Sequence, residues 1–295
     1  MQLVPEAIVF GLVSACVLAI ATVGFSLQVG VTNVLNFAYG STMTVCAFVA
    51  YLCNRAGVPI WLAVCVAGGF GAIFSLLLNR GVFRPFDRHG TGVHSAIYVS
   101  IGLGLILQYA VDGIWGPDFY VYRQDIGNPV HILGVVVTTT QLVIVGIALG
   151  ALLATHLLLA RTRLGTAMRA TAANRQLART CGIDTDAVAD AAWMLSGVLC
   201  GVAGVVLAIT IFAFTFELGD QFIIVIFAAA VLGGLGQPYG AMLGAVVIGV
   251  TSEVAAALIQ PEFKEVVAFA ILVAVLVIRP QGILGEFVGR RGMVR

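Results

Sequence analysis

Nine apolar runs divide the chain, at residues 7–27, 38–53, 60–79, 96–114, 140–160, 188–212, 222–235, 241–259 and 266–278. A helix that crosses a bilayer needs roughly 20 mostly apolar residues. Several runs fall short of that length, so the pattern predicts one or two broken or re-entrant segments. It predicts an all-α integral membrane protein, a polytopic bundle of about eight spans, with seven to nine compatible. Polar residues interrupt the runs at few places. One is "QVGVTNVLNFAYG", residues 28–40, with Gln28, Asn33, Asn36 and Tyr39 between glycines. If this stretch is helical, Asn33 and Asn36 lie one turn apart on one face. Two readings stay open. The amides line a solute path, where irregular backbone and polar groups are tolerated at membrane depth, or they bond helix to helix and hold the bundle together.

Composition sharpens the class. The 295 residues are 60% hydrophobic and 10% charged, with a mean hydropathy of +1.06. Soluble domains carry about 25% charged residues, so this is a membrane chain with one transmembrane domain over residues 1–295. The stretches "SGVLCGVAG" and "GAMLGAVVIG" put small residues at helical spacing, which lets backbones approach in lipid. The N-terminus lacks Lys or Arg before its first run and carries Glu6, so it reads as a permanent span rather than a cleaved leader. The cysteines, among them Cys46 and Cys200, lie mostly in apolar runs with no C-x-x-C pair and read as small hydrophobes. Neither they nor the scattered histidines have metal-ligand spacing. No P-loop, G-x-S-x-G or H-E-x-x-H sequence is present, and no cofactor or metal is implied. No basic stripe with interleaved aromatics points to nucleic acid.

Charge gives orientation. Arg80, Arg84 and Arg88 share one loop, and Arg161, Arg163, Arg169, Arg175 and Arg179 share another. Arg279, Arg290, Arg291 and Arg295 mark the tail, residues 279–295. Basic residues in short loops stay cytoplasmic. Nine full spans then put the N-terminus outside, and one re-entrant run reverses that.

The segment 161–190 is the longest on that side. Residues 165–180 carry good helix formers, Cys181-Gly182 stops them with a left-handed cap, and Asp184 and Asp186 are placed to cap the next span. A short helix there is a docking element by shape, or a solvated positive loop. Glu253 is the one acid well inside a span. Intramembrane carboxylates are costly and mark function by default. It serves a proton relay or path, or it sits near the outer interface bonded to Thr251 or a neighbouring helix.

Four motifs, in order, resemble the branched-chain amino acid permeases of bacterial ABC importers. They are "GVTNVLNFAYG", "RLGTAMRATAANRQLARTCGIDTDAVAD", "AAAVLGGLGQPYGAMLGAVVIGV" and "VLVIRPQGILG". The first element is similar to that of the H-type (LivH-like) permease. The resemblance implies an ATPase-coupling loop at 161–187 carrying Arg163, Gly165, Arg169, Arg175, Gly182 and Asp184. It brings the path reading for Asn33, Asn36, Phe37, Tyr39, Gly40 and Glu253 level with the packing one. It also implies an M-type permease partner, two ATP-binding subunits, a periplasmic substrate-binding protein and the bacterial inner membrane. The chain itself would carry no ATPase site. Two departures stand out: Tyr39 replaces the family's usual His, and Pro238 is shifted one place, beside Tyr239. Urea, short amides or another small organic solute remain alternatives, as does an ion-coupled carrier working through Glu253.

Overall fold

A computed structural model describes residues 3–88, 93–124, 129–132, 135–258, 263–278 and 282–283. Most of the tail, with Arg279, Arg290, Arg291 and Arg295, lies outside the described residues. The helices are α1 (Leu3–Thr32), α2 (Ala38–Arg55), α3 (Ile60–Leu78), α4 (Arg84–Arg88), α5 (Val93–Trp115) and α6 (Thr139–Arg161). They continue as α7 (Arg163–Ala173), α8 (Arg175–Thr180), α9 (Thr185–Thr210), α10 (Leu218–Gly233), α11 (Pro238–Leu258) and α12 (Phe263–Ile278). A π-helical turn, Asn79–Phe83, joins α3 to α4. Each of the nine apolar runs is a helix. Among the described residues, six helical stretches are long and apolar enough to cross a membrane, while α10 and α12 are shorter.

Two small ribbons accompany them. β1 (Tyr120–Val121) pairs antiparallel with β4 (Ala213–Phe214), and β2 (Pro129–Ile132) with β3 (Val135–Thr138). The first lies over an aromatic cluster in which Phe48 contacts Trp115, Tyr120 and Phe214 at centroid distances of 5.0–5.3 Å. Asn54 clamps the adjoining loop, its Nδ2 donating to the Arg123 carbonyl at 3.2 Å and its Oδ1 accepting from the Arg123 amide at 2.7 Å. This is the end of the bundle opposite the arginine-rich loops.

The two most deeply buried long helices, α1 and α9, form the core. α1 packs along α11, and α9 along α3. The small-residue stretches do the bundling. A Cβ on Gly197 or Gly201 would strike the backbone of Gly71 or Ala67 on α3, and one on Gly249 would stand 2.6 Å from Ala15 Cα on α1. Lipid supplies no hydrophobic drive between helices, so such close approach is what dispersion attraction requires.

Residues 28–40 are not one helix. α1 runs on through Gln28 to Thr32 and ends where Asn33 takes a left-handed φ of 55°. Asn tolerates that conformation better than most residues. Residues 33–36 are irregular, and α2 starts at Ala38. The contacts of Tyr39 with Ala21, Gly24 and Cys200 set its depth near the middle of α1 and α9. The irregular segment therefore climbs from the basic end into the bundle, and α2 begins at mid-depth. This is the broken span that the short run 38–53 predicts. Irregular backbone at that depth must be satisfied by protein, and Ser100 Oγ on α5 donates to the Leu35 carbonyl at 3.3 Å.

Candidate functional site

The basic end is organised around two carboxylates on one face of α9. Asp184 caps the helix, its Oδ1 accepting from the amides of Asp186 and Ala187 at 3.0 and 3.1 Å. That frees Asp186 from the capping role expected of it. Asp186 instead accepts from Arg84 Nη2 at 2.8 Å and Arg179 Nη2 at 2.9 Å, with Arg175 Nη2 at 3.4 Å. One turn on, Asp190 accepts from Asn79 Nδ2 at 2.7 Å through Oδ1. Its Oδ2 takes Arg80 Nε at 2.9 Å and Nη2 at 2.7 Å. The π-helical turn aims Asn79 and Arg80 at this acid, and π-turns often occur at functional positions. A turn further along α9, Trp193 is buried against Phe83 at a centroid distance of 4.8 Å. Sequence reasoning missed Asp190, Asn79 and Arg80 as a set. The signal available was an i, i+4 acid pair at the inner end of a span facing two arginine-rich loops.

The segment after α6 lies on this end as two short helices. The single helix expected over 165–180 is split. Asn174 leaves the helical region at φ −160°, and its side chain caps α8 by accepting from the Leu177 amide at 3.0 Å. At the start of α7, Thr162 Oγ1 accepts from the Gly165 amide at 3.0 Å and donates to the Leu158 carbonyl at 2.6 Å. Gly165 is buried so tightly against the carbonyls of Leu158 and Leu159 that a Cβ has no room. The α6–α7 corner is therefore sharp and fixed. Met168 seats α7 on Leu27, Val31, Leu159, Val188 and Ala192. Gly182, at φ +83°, turns the chain back to α9, and the Ile183 amide donates to the Ala178 carbonyl at 3.0 Å. Arg179 Nε adds a bond to Thr185 Oγ1 at 2.6 Å. Outward, Arg163, Leu164, Arg169 and Leu177 are exposed. The result is a rigid ledge with a mixed basic and apolar outer face.

Two cavities of about 480 and 660 Å³ open beside this ledge, and both are lined by Asn33 and by residues 172–173 of α7. Thr171 lines the smaller with a buried hydroxyl that has no partner among the described residues. Arg169 lines the larger, together with Gly236, Gln237 and the start of α11 at Pro238 and Tyr239. There the hydroxyl of Tyr239 lies 3.0 Å from His156 Nδ1.

The other sequence candidates are dispersed. Asn33 is exposed at the cavity mouths. Asn36 is 3% exposed, and its Oδ1 has no partner among the described residues. Phe37 is half-buried and lies 5.9 Å from the Phe227 ring. Tyr39 is buried, donating to the Ala21 carbonyl at 3.0 Å and edge-on to Phe25. Gly40 meets Gly219 backbone to backbone. Asn33, Asn36 and Tyr39 thus form no single stripe. Glu253 is elsewhere, at the opposite end, accepting from Ser14 Oγ at 2.7 Å and paired with Lys264 at 2.5 Å. Thr251 bonds instead to its own helix.

Comparisons with known proteins give the family. Residues 7–276 match the family described as branched-chain amino acid transport system / permease component. The chain is 30% identical over 284 residues to the high-affinity branched-chain amino acid transport system permease protein LivH of Escherichia coli K12, covering 91% of each chain. It is 30% identical to the probable branched-chain amino acid transport permease protein LivH of Methanocaldococcus jannaschii, over 91% of this chain and 88% of that one. The autoinducer 2 import system permease protein LsrC of Yersinia enterocolitica is 27% identical, over 90% and 72%. Among solved structures, PsaBC from Streptococcus pneumoniae in complex with Fab matches with a TM-score of 0.51 at 15% identity, over 95% of this chain and 93% of that chain, which bears on the fold alone. With a family match over nearly its whole length, this chain belongs to the permease components of branched-chain amino acid transport systems.

Proposed function

We propose that the chain is the H-type permease half of an ATP-driven importer for branched-chain or related small neutral amino acids, set in the inner membrane of a bacterial cell with its basic end cytoplasmic. The observation that carries this reading is the ledge formed by α7 and α8. It is fixed at one end by Gly165 and at the other by the Asp186 ion pairs, and it presents Leu164, Arg169 and Leu177 outward. A push on such a ledge moves α6 and α9 as rigid elements. Two ATP-binding subunits are the partners that the push requires, with an M-type permease beside this one and a periplasmic binding protein on the outer face.

α5 supports the position of the second permease. It is the least apolar of the six long spans, and only 17% of its apolar window is buried within the chain. It carries the half-buried Gln108, and polar groups facing lipid are costly. The path then runs along α5 and the irregular segment beside it, with Asn36 in the wall and Asn33 at the cytoplasmic mouth. Gly40 allows the close packing that keeps α10 against α2. Packing alone explains Tyr39, whose hydroxyl is spent on Ala21.

A second reading keeps the machine and changes the solute, because relatives include a permease named for autoinducer 2 import. Uptake of labelled leucine, urea, short amides and autoinducer 2 in a deletion strain separates the two. Leucine uptake that survives a collapsed proton gradient and stops on ATP depletion is the expected result. Uptake that follows the proton gradient would defeat it.

A further inference from the structure

At the end opposite the ledge, α1, α6, α9, α10, α11 and α12 line an open cavity of about 470 Å³. Its wall is apolar over Val17, Leu207, Phe222 and Ile248. Its polar lining includes Ser14, Ser252, Glu253, Lys264, Gln141 and Gln221. Three details single it out. The Glu253 side chain is 16% exposed and Lys264 45%, so the pair sits where the cavity opens at the surface of the chain. Both bonds to Glu253, from Ser14 and from Lys264, fall on Oε1, and Oε2 takes none among the described residues. Ser252, 8% exposed, lines the cavity with a hydroxyl that lacks a partner among the described residues. A buried hydroxyl left unbonded costs stability that a ligand can restore.

We propose that this cavity binds the zwitterion of an α-amino acid with an apolar side chain. An α-amino acid presents an ammonium and a carboxylate side by side. Its carboxylate can take Lys264 while its ammonium takes Oε2 of Glu253, so four alternating charges replace two. No net charge enters the site, which avoids the main penalty of burying an ion. The side chain then fills the apolar wall, and Ser252 gains an acceptor. A ligand with a third charge finds no counter-charge there. The proposal deepens the amino-acid permease reading, resting on it for the choice of amino acids, and gives the outer end a solute site apart from the path along α5.

The test uses the complete transporter in lipid nanodiscs without the binding protein, with radiolabelled leucine as probe. Saturable binding is expected. Glu253→Gln and Lys264→Gln should each weaken it at least about tenfold, the worth of one charge-assisted bond. The exchange Glu253→Lys with Lys264→Glu should restore part of it. Isoamylamine, which lacks the carboxylate, and isocaproate, which lacks the ammonium, should compete at least about tenfold less well than leucine. Lys264 is exposed enough that its variant should fold if the Glu253 variant does not. Absence of saturable binding, or equal competition by isoamylamine, would overturn the site, as would displacement of the probe by phospholipid alone. ATP-driven leucine uptake is measured on the same preparation with the binding protein added. Uptake without binding overturns the site and leaves the transport reading standing. Binding without uptake of any amino acid supports the site and sinks the transport reading.

Discussion

Asp190 and Glu253 are both carboxylates inside membrane-crossing helices, and they are held in different ways. Asp190 is 7% exposed and takes Asn79 and both nitrogens of the Arg80 fork, with Arg84 Nη1 3.7 Å away. Glu253 has one serine hydroxyl and one flexible lysine, both on the same oxygen, beside a cavity. A planar guanidinium donating through two nitrogens fixes geometry as well as charge, whereas a lysine is a mobile point charge. The first arrangement has no spare acceptor and suits a joint that transmits force. The second has a spare oxygen and suits exchange with a visiting ligand. An acid in a membrane helix is thus informative only with its partners counted.

Substitutions at the two ends test this contrast. Asp190→Ala should do the most damage, because it strands Arg80 and Asn79 together. Breaking a fully buried pair costs about 3–5 kcal/mol; Arg80 is half exposed, which brings the expected loss to about 2–3 kcal/mol. The thermal unfolding midpoint of the purified protein should fall accordingly, and an unchanged midpoint would remove the joint. Gly182→Val attacks the same end through the backbone. A Cβ there meets open space, so only the left-handed φ resists it, at about 1–2 kcal/mol. Uptake should fall more than membrane insertion does, as read by transport per inserted molecule. Asp186→Asn should cost about 1 kcal/mol, since its partners are partly exposed, and proteolysis should cut the 174–184 stretch faster. Glu253→Gln should change stability least, by under about 1 kcal/mol, because Ser14 keeps an acceptor. A loss as large as that for Asp190→Ala would erase the distinction between the two acids.

Much of the fold was legible because lipid imposes a simple rule: apolar runs become helices. All nine did, including the short ones, and the Gly-rich stretches became helix contacts. The break near residues 28–40 was legible as a cluster of amides, but its form was not. Nothing local told that Gln28 would stay in α1 with Ser196 as partner, or that Asn33 alone would turn the chain. Gly182 and Asp184 were readable because caps are local chemistry. Asn174 was not, since its cap competes with a run of good helix formers on both sides. The Asp190 cluster joins residues about 110 positions apart, as Asn79 and Arg80 meet α9. The periodicity of one helix carries no record of such a partner.

The ledge itself is tested most directly at Leu177, which is 61% exposed and touches the bundle little. Leu177→Asp should leave the membrane domain folded and inserted, because no buried contact is lost. Co-purification of the ATP-binding subunits with the mutant permease, with leucine uptake measured in the same cells, is the decisive experiment. Both should fall together while the amount of permease in the membrane stays at the wild-type level. ATP-binding subunits recovered at full yield, with uptake intact, would contradict the assignment of α7 and α8 as the coupling element.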